Sequence, residues 1–292
     1  MLAEGEINAL IHLLDDNDWE VFRHVHDKIV SLGTPVIPVL EKAWSPDISP
    51  VMNERIEEII VEIQFQEIEK EWNEWVENAS PDLFTGLYLV SKYHYPVLLK
   101  EEVKTKLHRI KQTIWLELNY HQTPLEQVQI FNQLFYDYHH FKGEQASSDF
   151  VTFCLPSLLE SKKGNAISLG ILYQILASEL NLPVYGVNLF RHYILSFCKH
   201  TVFDFTVSPE LEKEVMFYIN PINKGIVFSR NEIKEYLKKS EVESKQSYFV
   251  PASVPTIIRE LLSQLIEVHT AKGADMKVKH LIQLQDKLQT AE

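Results

Sequence analysis

The apolar pattern of the sequence changes at Leu182, and this change restricts the chain to folds that combine many helices with a small sheet. Before Leu182, apolar residues recur at helical spacings, as in Ile7, Leu10, Ile11 and Leu14. After it come short runs rich in β-branched and aromatic residues, separated by turn residues. We predict strands in the runs 183–188, 193–198, 202–205 and 215–219. The predicted class is therefore α+β, mostly helical, with a small antiparallel sheet.

Turn and capping signals divide the chain into five predicted segments. We predict a helical region over 1–65, a helical segment over 66–145 that packs on the core, the core over 146–239, a linker over 240–253 and a helical hairpin over 254–292. Within these segments, a weak second helical pair is predicted from Val51 to Asn78. The final hairpin is predicted to break at Lys272-Gly273.

Composition and charge exclude several classes of protein. Apolar residues make up 45% of the chain and charged residues 24%, which is typical of globular domains. The net charge of -13 is spread along the chain and leaves no basic face for phosphates, so we expect no nucleic-acid partner. The N-terminus lacks a cationic region followed by an apolar run, and no stretch of 18 apolar residues occurs. We therefore expect a cytoplasmic protein without a membrane partner.

The sequence indicates neither a cofactor nor a metal. Cys154 and Cys198 are its only cysteines and do not form a CxxC or a mixed Cys/His spacing, so neither a disulfide framework nor a zinc site is expected. The 12 histidines form no HExxH pattern, and a glycine-rich phosphate loop is missing.

Two strings carry a resemblance to a known family: KGNAISLGILY over 163–173 and LPVYGVN over 182–188. From about Phe131 to the C-terminus, the chain resembles the SirB-type branch of the transglutaminase-like superfamily. This resemblance implies a papain-like core flanked by helical hairpins. The string over 15–44 looks like a HEAT repeat, and the tail is similar to the tetratricopeptide-like hairpin that closes many SirB-type chains.

The resemblance also implies three site positions. In the superfamily's enzymes a cysteine opens a helix, a histidine follows on a strand and an aspartate ends a later strand; the matching positions here hold Ala166, His192 and Asn220. A cysteine is suited to the first position because a helix N-terminus lowers the pKa of a thiol. Asparagine can orient an imidazole without providing charge. Asn220 is equally well explained as a turn residue before Pro221.

The string before His192 departs from the family pattern. Phe190-Arg191 stands where the family usually has Pro-Gly or Pro-Ser. This exchange predicts a bulky, charged residue beside the cleft, which would alter its shape or its ligand.

Three functions remain open at this point. The first is a non-catalytic module that binds a peptide or protein segment in the cleft, and we favour it because Ala166 cannot attack a substrate. The second is a hydrolase or acyltransferase that uses His192 with water, Ser168 or Cys154, although Ser168 lies about 200° around the helix from Ala166. The third is a scaffold or adaptor whose helical ends bind the partner around an inert core.

Overall fold

Helices make up most of the chain, and antiparallel strands follow residue 183. The computed structural model describes residues 4–16, 18–44, 49–78, 80–119, 121–144 and 149–289. The α-helices are α1 Glu4–Leu13, α2 Trp19–Val30, α3 Ile37–Ala43, α4 Pro50–Val76, α5 Leu83–His94, α6 Lys100–Glu117, α7 Pro124–Asn132, α8 Leu155–Ser161, α9 Ala166–Glu179, α10 Pro209–Glu214, α11 Arg230–Lys239, α12 Val254–Ala271 and α13 Asp275–Gln289. The strands are β1 Lys142–Gly143, β2 Lys163–Gly164, β3 Val184–Leu189, β4 His192–Cys198, β5 Val215–Asn220 and β6 Ile226–Phe228. The predicted α+β class is confirmed.

The chain divides into two compact units, Met1–Glu74 and Trp75–Glu292. In the first unit, apolar side chains from α1, α2, α3 and α4 form one core. Its buried members are Ile11, Leu14, Phe22, Val25, Ile29, Val30, Val36, Leu40, Met52, Ile56, Ile59 and Ile63. In α2 and α4 these residues recur mainly at spacings of three and four, so one stripe of each of these two helices faces the shared core.

Helix α4 corrects one prediction in this part of the chain. A pair of helices is predicted from Val51 to Asn78, but the structure has the single helix Pro50–Val76 there. The sequence between Val51 and Asn78 contains neither glycine nor proline, so nothing in it interrupts the backbone hydrogen bonds of the helix. Helix α4 continues across the predicted boundary between residues 65 and 66.

The second unit is built on a sheet with the strand order β3-β4-β5-β6, in which all neighbours are antiparallel. Helix α9 packs on β3 and β4, and α5 and α6 pack against α9. Because it has neighbours on several sides, α9 is buried without interruption from Ile167 to Ala177. A helix that is apolar around its whole circumference is expected in such a position.

The predicted strand over 202–205 is wrong. Strand β4 ends at Cys198, and the residues from Thr201 to Val207 have irregular backbone. The Val202 N–H donates to the Tyr185 hydroxyl at 2.9 Å, and the Phe203 side chain is 90% exposed. A run of β-forming residues becomes a strand only where it packs beside a partner, and this run instead crosses the surface.

The segment 240–253, predicted as a linker, lies against the sheet. Phe249 and Val250 are buried. The Tyr218 hydroxyl donates to the Phe249 carbonyl at 2.8 Å, and the Ala252 N–H donates to the Gly186 carbonyl at 2.8 Å. The segment thus joins the sheet to the start of α12.

Helices α12 and α13 form the C-terminal hairpin. The chain turns between them at Lys272 and Gly273, and the φ angle of 68° at Gly273 lies in the left-handed region that glycine adopts readily. The two helices pack on each other, and α12 also packs on α5 and β3. Their fully or almost fully buried apolar residues include Ile257, Ile258, Leu261, Leu262, Leu265, Leu281, Leu284 and Leu288.

Candidate functional site

Helix α9 begins with a side-chain cap next to Ala166. The Asn165 Oδ1 atom accepts a hydrogen bond from the Ser168 N–H at 2.9 Å, and Ala166 is the first helical residue. The first turn of a helix has backbone N–H groups without partners inside the helix, and its dipole favours negative charge. The Ala166 methyl group lies at this end of the helix, where it lines a cavity.

His192 opens strand β4 directly after the β3–β4 turn. Leu189 pairs with His192 across that turn, so Phe190 and Arg191 are the two turn residues. Phe190 has a φ of 44° and is 41% exposed, and the Arg191 guanidinium lies 5.3 Å from the centre of its ring. The two residues that depart from the family pattern therefore form the turn itself. The exposed His192 ring stands edge-on to the Tyr236 ring, with 5.3 Å between ring centres.

Asn220 ends strand β5, and its side chain holds the following turn. The Asn220 Oδ1 atom accepts from the Ile222 N–H at 3.1 Å and from the Asn223 N–H at 3.3 Å. Among the residues that the structure describes, no hydrogen bond joins His192 to Asn220. In this arrangement the oxygen that could orient an imidazole instead stabilises the turn before β6.

A cavity of about 390 Å³ brings the three predicted positions together. Ala166, His192 and Asn220 line it from three different elements, α9, β4 and β5. Most of the other side chains that line the cavity are apolar or aromatic. The other lining residues are Leu189, Tyr193, Ile194, Ile222, Ile226, Phe228, Glu232, Ile233 and Tyr236.

Helix α11 provides a wall of the cavity that the sequence analysis missed. Glu232 lines the cavity while its carboxylate accepts from the Ser229 N–H at 2.7 Å and from the Ser229 hydroxyl at 2.8 Å. These hydrogen bonds lower the pKa of the Glu232 carboxyl. The Ser229–Glu232 spacing identifies a capped helix, but no signal in the sequence indicates that this helix faces His192.

The alternative nucleophiles lie outside this cavity. Burial raises the pKa of the Cys154 thiol to about 12, and its Sγ atom lies 3.6 Å from the Phe150 carbonyl oxygen. Ser168 is fully buried, and its hydroxyl donates to the Thr152 carbonyl at 2.7 Å. Burial also raises the pKa of Cys198 to about 12. A thiol becomes a nucleophile as a thiolate, so these two cysteines are poorly suited to attack a substrate.

The arrangement suits the binding of a polar group inside an apolar cleft. The N-terminus of α9 offers backbone donors, His192 offers a ring that can donate or accept, and the surrounding side chains bury apolar surface. The described residues that line the cavity include neither cysteine nor serine. Within the described ranges, no group of three or more His, Cys, Asp or Glu side chains is arranged to hold a metal ion. No helix in the same ranges has the length and hydrophobicity needed to span a membrane.

Comparison with known proteins gives one match. No curated protein and no solved structure matches the chain. The sequence model described as "Transglutaminase-like superfamily" matches residues 101–263. The matched region begins in α6, ends within α12 and contains Ala166, His192 and Asn220. Since the match covers more than half of the 292 residues, the chain belongs to the transglutaminase-like superfamily.

Proposed function

We propose that this protein is a SirB-type, non-catalytic member of the superfamily whose cleft binds a peptide or protein segment. The observation that carries the proposal is the side chain at the start of α9, where the Ala166 methyl group faces the cavity that His192 and Asn220 also line. Ala166 takes the place of the nucleophile, and His192 and Asn220 are the other two relict positions of the triad. The cleft keeps donors and apolar walls that can hold a chain segment.

Strand β6 supports a peptide as the ligand. It is an edge strand, because within the described residues it pairs with β5 alone. Its residues Ile226 and Phe228 line the cavity, and Ile226 is 54% exposed. A peptide can add to such an edge as a further strand, with alternate side chains directed into a neighbouring pocket.

The helical parts of the chain complete the proposal. The first unit would be a HEAT-like region and the α12–α13 hairpin a tetratricopeptide-like one, and each would contribute surface outside the cleft. Both cysteines are free and buried, which suits a reducing compartment. The proposal therefore places the protein in the cytoplasm.

A turnover assay tests the non-catalytic half of the proposal. The full chain would be incubated with a fluorogenic peptide library and, separately, with glutamine peptides and hydroxylamine to trap acyl transfer. We expect the same background rate for the wild-type chain and for His192→Ala. Turnover that His192→Ala abolishes would instead identify an enzyme that uses His192 as its base.

Peptide selection tests the binding half. Peptides selected from a displayed library on the wild-type chain would be titrated against Ile226→Asp, which introduces a charge into the cavity wall. The matched control is Ile282→Asp on α13, because Ile282 is also partly exposed, at 40%, and lies outside the cavity. We expect Ile226→Asp to weaken binding about tenfold or more and Ile282→Asp to leave it unchanged. Equal affinities for both variants, or the recovery of no binding peptide, would refute a peptide site in this cleft.

A further inference from the structure

The second unit contains another cavity, with a volume of about 770 Å³. It lies among α5, α6, α9, the start of α12 and strand β3, and it shares no lining residue with the cavity around His192. Its volume falls in the range of about 300 to 1,000 Å³ that is usual for small-molecule sites. The proposed peptide cleft gives it no role.

Apolar side chains from several elements form most of the wall of this second cavity. Phe205 reaches it from the irregular segment after β4, and its ring stands edge-on to Tyr185 with 5.7 Å between ring centres. The other apolar side chains are Leu83, Phe84, Leu107, Ile175, Ala252 and Val254. A ligand that fills this space therefore needs an apolar body.

A buried amide in the wall has hydrogen-bond donors to spare. Gln174 on α9 is 7% exposed, and its Oε1 atom accepts from the Gly186 N–H at 2.9 Å and from the Tyr193 hydroxyl at 3.4 Å. These two contacts identify the acceptor atom of the amide as Oε1. The remaining polar atom of the side chain is the nitrogen of the NH2 group. That NH2 group makes no hydrogen bond within the described part of the chain. The group is therefore free to donate to a ligand in the cavity.

Helix α6 adds a row of basic side chains to the same wall. Lys104, His108 and Lys111 follow one another at spacings of four and three, which places them on one face of the helix. Lys104 and Lys111 provide positive charge beside the apolar walls, in a chain whose net charge is -13.

Two lysines of this row form partly exposed ion pairs, with which the acidic group of a ligand would compete. Lys104 contacts Glu101 at 3.0 Å, but Glu101 is 81% exposed and lies outside the wall, so water screens the pair. Lys111 contacts Glu179 at 3.4 Å, and both side chains are partly exposed. The Asp82 carboxylate caps α5 by accepting from the Thr85 N–H at 2.8 Å. Each acidic side chain in the wall thus already has a donor from the protein.

We propose that the second cavity binds a small carboxylic acid with an apolar body. Its carboxylate accepts hydrogen bonds from the basic row of α6 and from the Gln174 NH2 group, and its apolar body packs between Phe84, Ile175 and Phe205. Charge-assisted hydrogen bonds of this kind are stronger than neutral ones, so the acidic group contributes much of the selectivity.

Calorimetric titration of the full chain with decanoate, kept below its micellar concentration, tests this site. Decan-1-ol serves as the uncharged ligand of the same length. The variants are Lys104→Gln and Lys111→Gln, and the matched control is Lys106→Gln, which lies on the same helix outside the cavity wall and is 48% exposed. Ser178→Trp fills the cavity without a change of charge, from an exposed position in its wall.

We expect saturable binding of decanoate that exceeds the binding of decan-1-ol. Each of Lys104→Gln and Lys111→Gln should weaken it about fivefold or more, Ser178→Trp should abolish it, and Lys106→Gln should leave it unchanged. No saturable binding, equal affinity for the acid and the alcohol, or equal losses in all three lysine variants would overturn the proposal. These outcomes are independent of the peptide site, because no residue changed here lines the cavity around His192.

Discussion

Ala166 stands where an attacking thiol would have several of the surroundings that it needs. The first turn of α9 favours negative charge, the His192 ring lines the same cavity, and the cleft is open enough for a substrate segment. The methyl group at this position cannot attack a substrate, which is the reason for proposing a binding role. A cysteine placed there would be exposed to the helix dipole in a way that the two buried native cysteines are not.

The variant Ala166→Cys measures this effect. We expect iodoacetamide to alkylate the introduced thiol with a pH midpoint below the ordinary value of about 8.5, because the N-terminus of α9 stabilises the thiolate. The matched control is Ala271→Cys at the last residue of α12, where the helix dipole opposes a negative charge. Alkylation would be followed by mass spectrometry. The same midpoint in both variants would show that the start of α9 does not activate a thiol.

Individual residues of the site differ in how far the sequence predicts them. Ala166 and His192 lie in strings whose local pattern fixes the helix start and the strand start, so their positions follow from nearby residues. The hydrogen-bond partner of the Asn220 side chain does not follow from nearby residues. Two backbone N–H groups of the turn and the His192 ring are alternative partners, and only the three-dimensional structure shows that Oδ1 accepts from the N–H groups. Glu232 and Tyr236 were missed because α11 reaches the cavity through long-range packing.

Among the secondary-structure elements, helices follow from nearby residues more closely than strands do. The helical spacing and caps of α12 and α13 are local signals, and both helices occur where the sequence predicts a hairpin. The segment over 202–205 has the composition of a strand, but no strand pairs with it in the part of the chain that the structure describes. Strand formation depends on a partner that is remote in sequence, so composition alone overpredicts it.

Helices α5 and α12 meet at a pair of histidines, the partly buried His94 and the buried His269. The His94 Nε2 atom lies 2.9 Å from the His269 Nε2 atom, and the His94 Nδ1 atom lies 3.0 Å from the Val90 carbonyl oxygen. His94 therefore donates through Nδ1 and accepts through Nε2. Burial, together with the nearby His269 and Lys277, lowers the pKa of His94 to about 4. Burial and the charges of Lys277 and Lys272 also lower the pKa of His269.

This pair predicts a loss of stability in mild acid. Between pH 6.5 and 4 the unfolded chain binds a proton at His94 that the folded chain does not, so the free energy of unfolding falls as the pH falls. For His94 alone the difference between pH 7 and pH 5 is about 2 kcal/mol. Denaturant titrations at both pH values would compare the wild-type chain with His94→Phe, in which this contribution is absent. The matched control is His108→Phe at an exposed position of α6. Equal acid losses in the wild-type chain and His94→Phe would contradict the assignment.

At the scale of the whole molecule, the buried side chains belong to two units, and this division leads us to expect more than one unfolding transition. The first unit closes its own core with residues from α1 to α4, and the second encloses α9 between its sheet and helices α5 and α6. Cooperative unfolding follows the contacts within a core, because side chains that pack together are exposed together. We therefore expect two thermal transitions, one for Met1–Glu74 and one for Trp75–Glu292.

A matched pair of leucine substitutions tests this expectation. Leu40 in the first unit and Leu172 in the second are both fully buried, so Leu40→Ala and Leu172→Ala remove the same atoms from two different cores. Each should destabilise its own unit by about 2 to 5 kcal/mol. Scanning calorimetry should show that Leu40→Ala lowers one transition and Leu172→Ala lowers the other. A single transition that both substitutions shift would mean that the two cores unfold together.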